Sequence, residues 1–208
     1  MSTVLNLWPY VGQVLLLAVL ITVLPGRFVK DASLRIGVIA ALLALCLFLP
    51  LSGLTISQWL RSVLGDLSVF TLLVFLNILA QRLFGRNFIS PDTRKKLLFG
   101  VVMVGVVFYP LALGVSSFDP YHLGYSPVFM TVLLCLASII AWLRAQRELA
   151  VILLMPLLAY ELHMLESLNL WDYLLDPVLL VYAVVQCLTA FNFLSFGRNG
   201  HPENGNAA

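Results

Sequence analysis

Long apolar runs separated by short charged gaps constrain this chain more than any other feature of its sequence. Of its 208 residues, 61% are hydrophobic and only 11% are charged, whereas a soluble domain usually carries about 25% charged residues. One apolar run could be a buried helix, but six or more exceed what one soluble core of this size can hold. The pattern therefore predicts an all-α fold, a polytopic integral membrane helix bundle.

The runs predict seven transmembrane helices, with six as the alternative. A membrane helix needs roughly 20 residues to cross about 30 Å of hydrocarbon, and most runs reach that length with little to spare. Ser90, Ser126 and Asp176 each precede a proline, a pairing typical of helix starts because the side chain caps free N–H groups. The predicted spans are residues 7–24, 34–51, 60–83, 96–115, 127–143, 149 to about 167, and 177–194.

The charges between the runs predict the orientation of the bundle. With seven spans, all twelve lysines and arginines except Arg61 fall on one side. Basic gaps stay in the cytoplasm, so the N-terminus is predicted outside and the C-terminus inside. Six spans would instead place Arg198 outside and leave the acidic stretch 161–176 inside. Residues 1–195 are predicted to form one bundle, and 196–208 a polar, disordered cytoplasmic tail.

The outer side collects acidic residues and histidines, which are the candidate site residues. Ionisable groups within a membrane usually face the bundle interior or a wet cavity. Such groups act as general acid and base or bind a divalent metal. No subset has a specific ligand spacing, so the sequence leaves any metal or cofactor unidentified. The candidate catalytic residues are Asp66, Asp119, His122, Glu161, His163 and Glu166.

The sixth run is unusual because a carboxylate interrupts it early. Only twelve residues of the run precede Glu161, and twelve residues of helix cover about 18 Å. Either Glu161 and His163 lie in the outer half of the membrane, or the helix ends early. In the second case, 169–175 would lie along the interface with Trp171 and Tyr173 as anchors.

The third run carries a polar stripe. Asp66 and Asn77 are eleven residues apart, close to three helical turns, so a continuous helix places them on one face. Arg61 would then lie too far round the helix to be the obvious local partner of Asp66. The stripe is either polar contact between helices or the lining of a cavity.

Three functions stay open on this pattern. Small size and short loops favour a non-catalytic accessory or assembly subunit of an envelope complex. The alternatives are an integral membrane enzyme acting on a lipid or lipid-linked glycan at the outer leaflet, and a small proton-coupled transporter using Asp66 and Glu161. The predicted location is a plasma membrane, a bacterial inner membrane in particular.

The predicted partners follow from the same pattern. They are the lipid bilayer, a larger membrane protein, and anionic lipid at the basic inner face. A nucleic-acid partner is not expected, because no fold surrounds the basic cluster to present it.

Overall fold

Nine α-helices and one small β-hairpin make up the described part of the chain, residues 8–23, 32–51 and 53–198 of a computed structural model. The all-α prediction is confirmed for these residues. Strands β1 (Pro50–Leu51) and β2 (Leu54–Thr55) pair antiparallel, and a 3₁₀ helix covers Tyr121–Tyr125. The helices are α1 (Trp8–Val23), α2 (Ala32–Phe48), α3 (Ile56–Leu64), α4 (Val69–Phe84), α5 (Pro91–Ala112), α6 (Val128–Leu143), α7 (Arg147–Glu161), α8 (Leu170–Leu174) and α9 (Pro177–Arg198).

Among the described residues, one helix is long and apolar enough to cross a membrane, and this is the 22-residue α5. Shorter apolar stretches of 10–17 residues lie in α1, α2, α4, α6 and α9. The 16 residues of α1 correspond to about 24 Å of helix, less than the roughly 30 Å of a typical hydrocarbon core.

Helix α4 lies at the centre of the packing. It contacts α1, α7, α8 and α9, and its Val74 is fully buried. Helix α5 packs on α9, and α6 packs on α7. A smaller apolar cluster around Leu17, Ile21 and Ile39 joins α1 to α2.

The third predicted span is wrong because it consists of two helices. Helix α3 ends at Leu64 and is followed by Gly65, whose φ of 70° lies in the region that glycine adopts without a steric penalty. Helix α4 then begins after its N-cap residue, Ser68. Asp66 lies in this break rather than inside a helix, so it shares no helical face with Asn77.

Asn77 holds the turn between α4 and α5. Its Oδ1 accepts hydrogen bonds from Phe88 N and Ile89 N, both at 3.0 Å, and the side chain is buried. The polar stripe was predicted to be either a polar contact between helices or the lining of a cavity. Asn77 makes a polar contact between elements.

The sixth run ends early, as one of its two alternatives predicts. Helix α7 ends at Glu161, and His163 adopts a positive φ of 49°. The short helix α8 follows, but Tyr173 is not an interfacial anchor. It is buried, and its hydroxyl contacts the backbone carbonyls of Leu165 and Ser167.

Two of the three predicted helix caps are confirmed. Ser90 Oγ accepts from the third residue of α5, and Asp176 Oδ1 accepts from Leu179 N at 2.8 Å. Ser126 does not cap, because α6 begins after Pro127 without a side-chain cap. Helix α9 continues to Arg198, so 196–198 of the predicted tail is helical, and 199–208 lies outside the described residues.

The helices pack so that the bundle has two ends of different composition, which we call the acidic end and the basic end. The acidic end contains the starts of α1, α4 and α9, helix α3, the 3₁₀ helix, and residues 161–176. The basic end contains the ends of α1 and α4 and the starts of α5 and α7. There Arg82 Nη1 donates to Val19 O and Thr22 Oγ1 at 2.8 and 2.7 Å. This places a cation beside the C-terminal end of α1, where the helix dipole favours it.

Glu148 joins α7 to α5 at the basic end. Its carboxylate accepts hydrogen bonds from Ser90 N at 2.8 Å and from Ser90 Oγ. Burial acts to raise the pKa of Glu148, but hydrogen bonds from Ser90 and Thr93 outweigh burial and hold this pKa below its ordinary value.

We expect acid to weaken this link. A carboxylate with a lowered pKa in the folded state stabilises the fold fully above its unfolded pKa, and that stabilisation is lost as the pH falls through the folded pKa. The Glu148→Gln variant should be less stable at neutral pH and should lose less stability on acidification. Chemical unfolding in detergent from neutral pH down to about pH 3 measures both effects, and equal acid sensitivity of the two proteins would contradict the prediction.

Candidate functional site at the acidic end

Two of the six candidate residues meet around Arg61, and we call Arg61, Asp66 and Glu166 the Arg61 cluster. Arg61 Nε lies 3.0 Å from Asp66 Oδ1, and Nη2 lies 2.7 Å from Glu166 Oε1. Glu166 N also donates to Asp66 Oδ2 at 3.5 Å. The expectation that Arg61 is not the local partner of Asp66 is wrong, because the chain breaks at Gly65 and Asp66 can reach back to Arg61 of α3.

The cluster carries a net charge of −1 and is only partly shielded from solvent. The side chains of Arg61 and Asp66 are 23% and 14% exposed, but that of Glu166 is 70% exposed. Burial acts to lower the pKa of Arg61, yet the hydrogen bonds and charges of Glu166 and Asp66 outweigh it and raise this pKa above its ordinary value. The guanidinium therefore stays cationic, and its carbon lies 5.3 Å from the ring centroid of Tyr10, within cation–π range.

Helix α3 presents Arg61 because its start is fixed by a capping box. Gln58 N donates to Thr55 Oγ1 at 3.4 Å, and Thr55 N donates to Gln58 Oε1 at 2.8 Å. This reciprocal pair satisfies two backbone donors at the helix start. Arg61 follows Gln58 by three residues, so the two side chains share a face of the helix.

A polar pocket of about 490 Å³ opens beside the cluster. Besides the three charged residues, Tyr10, Gln58 and Ser62 line it. An apolar groove of about 480 Å³ runs along α1 and the end of α2, and Tyr10 and Gln58 line both spaces. The pocket and the groove are therefore neighbours.

A buried glutamine of α1 supports the wall of the pocket. Gln13 Nε2 donates to Gly65 O at 2.7 Å, and Gly65 lines the pocket. The Oε1 of Gln13 is buried and accepts no hydrogen bond from any described residue. An unpaired buried acceptor costs about 1–3 kcal/mol. Gln13 is not among the predicted site residues, although a lone amide in the first apolar run is a visible signal.

The remaining four candidates make other contacts or are exposed. Asp119 Oδ1 accepts from Tyr121 N at 2.9 Å, and His163 Nδ1 lies 3.1 Å from Glu161 O. His122 is exposed on the 3₁₀ helix. The described ranges hold no group of three or more His, Cys, Asp or Glu side chains placed to bind a metal. A catalytic role for the six residues stays a prediction.

Helix α8 is tied to the loop before α6 by side chains that sequence reasoning did not connect. Asn169 Nδ2 donates to Tyr121 O at 3.0 Å, and Trp171 Nε1 donates to Pro120 O at 2.8 Å. The Tyr121 hydroxyl reaches both oxygens of Asp172 at 3.1 and 3.2 Å. Burial and the Asp172 charge both raise the pKa of Tyr121, so its hydroxyl remains a donor.

Asp176 joins the starts of α4 and α9. One carboxylate oxygen accepts from Leu179 N at 2.8 Å, and the other accepts from Ser68 N at 2.8 Å and from Thr71 Oγ1. All four residues are buried. One acidic side chain thus caps its own helix and holds a second helix against it.

Comparisons of the chain with protein-family models, with curated proteins and with solved structures find no match. The chemistry of the Arg61 cluster therefore has to follow from its own geometry. A guanidinium between two carboxylates, one of them largely exposed, is suited to a ligand that carries a positive and a negative charge close together.

Proposed function

We propose that this chain is a seven-span protein of a bacterial inner membrane, with its N-terminus outside, and that it serves as a non-catalytic accessory or assembly subunit of an envelope complex. The spans would lie within the seven helices of 15 to 22 residues, α1, α2, α4, α5, α6, α7 and α9. The span in α7 would begin at Leu149, so that Glu148 lies outside it. The acidic end would face outward and the basic end the cytoplasm, as the positive-inside rule requires.

Extensive exposed apolar faces support the membrane location. On α6, nine apolar side chains are each more than 50% exposed, and α5 and α9 carry similar residues. Monomeric soluble proteins rarely expose contiguous apolar patches larger than a few hundred Å². Lipid or a partner helix would cover these faces. Short spans are accommodated in bilayers by local thinning, by snorkelling of flanking residues or by oligomerisation.

The subunit proposal rests on one observation. The carboxylates of the acidic end make contacts that hold the fold together. Asp176 caps two helices, Asp172 holds the 3₁₀ helix, and Asp66 pairs with Arg61. A general acid or base needs a proton that it can exchange with substrate. These carboxylates instead accept hydrogen bonds that hold elements of the bundle together.

Cysteine labelling tests the orientation. In a variant whose three native cysteines are replaced, single cysteines at Asp119 and Leu168 should react with a membrane-impermeant maleimide on intact cells. Cysteines at Asp92 and Arg144 should react only after the membrane is opened. All four positions are exposed, so access alone decides the result. Reaction of the Leu168 cysteine only after opening would overturn the seven-span arrangement.

Photo-crosslinking in native membranes tests the subunit assignment. A photoreactive residue is placed at one exposed apolar position on each of four helices, namely Val106, Leu136, Leu158 and Val185. If the chain is a subunit, at least one face should give a discrete protein adduct while the others give lipid adducts. Lipid adducts from all four positions would contradict the proposal.

A further inference from the structure

A polar pocket and an apolar groove meet at Tyr10 and Gln58, and together they have the form of a site for an amphiphile. The pocket holds about 490 Å³ and the groove about 480 Å³, each within the 300–1,000 Å³ typical of small-molecule sites. The pocket is lined by charged and hydroxyl-bearing side chains. The groove is lined mostly by apolar ones, including Val11, Val14 and Phe48, with Thr55, Ser57 and Gln58 at its edge with α3.

We propose that the Arg61 cluster binds the zwitterionic headgroup of an outer-leaflet phospholipid, with its phosphate at Arg61, its primary ammonium at Asp66 and Glu166, and an acyl chain in the groove along α1. This inference rests on the proposed outward placement of the acidic end in a membrane. It goes beyond the subunit assignment, because it names a ligand and the residues that select it.

The charges of the cluster match such a headgroup. Contacts within the cluster use Nε and Nη2 of Arg61, so Nη1 is the atom through which the guanidinium would bind a phosphate oxygen. Arginine forms strong charge-assisted bonds with phosphate. The carboxylate of Glu166 is the most exposed of the three, and with Asp66 it offers acceptors to the three N–H donors of a primary ammonium.

The position of the groove supports an acyl chain as its occupant. Leu15, which lines the groove, follows Tyr10 by five residues, so the groove descends about 7.5 Å along α1 from the pocket towards the middle of the bundle. Phe48 is 80% exposed at the end of α2. A lipid anchored by its headgroup at Arg61 would bring its chain to these side chains.

Native mass spectrometry of the full chain in a mild detergent tests the site. The titrations use phosphatidylethanolamine, phosphatidylglycerol, which lacks the ammonium, and glycerophosphoethanolamine, which lacks the chains. We expect the affinity for phosphatidylethanolamine to be at least about threefold higher than that for phosphatidylglycerol. This is the effect expected of one solvent-accessible ion pair. Equal affinity of the two lipids would overturn the proposal, and so would competition by glycerophosphoethanolamine as strong as that of the intact lipid.

Two variants assign the selectivity to the site. Glu166→Gln should lower the affinity for phosphatidylethanolamine about three- to fivefold and leave that for phosphatidylglycerol unchanged or higher, whereas Glu161→Gln, an exposed carboxylate outside the pocket, should change neither. Val14→Phe, which fills the groove, should weaken both lipids. A thermal melt of each variant confirms that it is folded. Unchanged lipid selectivity in folded Glu166→Gln would contradict the assignment.

The lipid site and the subunit assignment can fail separately. A chain without a protein partner can still select between lipids, so lipid adducts from every crosslinking position would remove only the subunit proposal. Equal binding of the two lipids would remove only the lipid site.

Discussion

Replacement of Asp176 by alanine is expected to destabilise the protein by about 3–5 kcal/mol, because it leaves buried donors without an acceptor. Leu179 N would lose the cap of α9, and a lost N-cap alone costs about 0.5–2 kcal/mol. Ser68 N and the Thr71 hydroxyl would lose the second oxygen. The Thr71 hydroxyl also lies 3.0 Å from Ser68 Oγ, so it keeps one neighbour, and the total is smaller than the sum of three orphaned donors.

Unfolding of the purified protein in mixed detergent, followed by circular dichroism, measures this loss. Asp119→Ala is the matched control, since Asp119 is exposed and accepts one backbone hydrogen bond, from Tyr121. We expect the control to cost under about 1 kcal/mol, as most exposed surface substitutions do. Asp176→Asn should fall between the two, because the amide keeps one acceptor oxygen. Equal losses at the two aspartates would show that the link between α4 and α9 contributes little.

Asp176 also shows which part of the fold sequence can predict. An aspartate before a proline at the start of an apolar run signals a helix cap, and the cap is present. The bond from Ser68 to the same carboxylate joins residues 108 positions apart, and no local pattern encodes it. The cap that Asp176 provides to α9 could therefore be predicted from the sequence. Its contact with the start of α4 could not, because it depends on how the helices pack.

The break at Gly65 was within reach of sequence reasoning but was missed. A glycine followed three residues later by a serine is a helix stop followed by a helix start. The apolar run after Gly65 is long, and its length favours the prediction of one continuous span over residues 60–83. With Asp66 inside a continuous helix, Arg61 is not its obvious local partner, so the sequence does not predict the ion pair at the centre of the candidate site. Glu166 was a candidate, but nothing in its sequence neighbourhood connects it to a residue 100 positions earlier.

Replacement of Gly124 by alanine is expected to destabilise the protein by about 3–4 kcal/mol, the sum of overpacking and broken buried hydrogen bonds. An added Cβ would overlap Asn169 Oδ1 and lie 2.7 Å from Asn169 Cγ and 2.8 Å from Trp171 Cδ1. Asn169 is fully buried, and its amide bonds both Tyr121 O and Trp171 N. It cannot yield without breaking the contacts that hold α8 against the 3₁₀ helix.

Gly100→Ala is the control for this substitution. It is the same chemical change, but an added Cβ at Gly100 meets nothing within 4 Å, and alanine is favoured over glycine inside a helix by about 0.5–1 kcal/mol. Thermal unfolding in detergent should therefore separate the two variants clearly, with Gly100→Ala neutral or more stable than the wild type. A loss at Gly124 no larger than that at Gly100 would contradict the close approach of the 3₁₀ helix to α8.

A double-mutant cycle identifies Asn169 as the obstacle at Gly124. Asn169→Ala destabilises the protein by itself, because it removes the two amide hydrogen bonds. It also removes two of the three atoms that the new Cβ would meet, Asn169 Oδ1 and Cγ, and leaves only Trp171 Cδ1 in its way. Gly124→Ala should then cost less in the Asn169→Ala background than in the wild type, by about 1–3 kcal/mol of coupling. Additive losses would mean that the clash is relieved elsewhere, and that the Asn169 amide does not set the distance between the two elements.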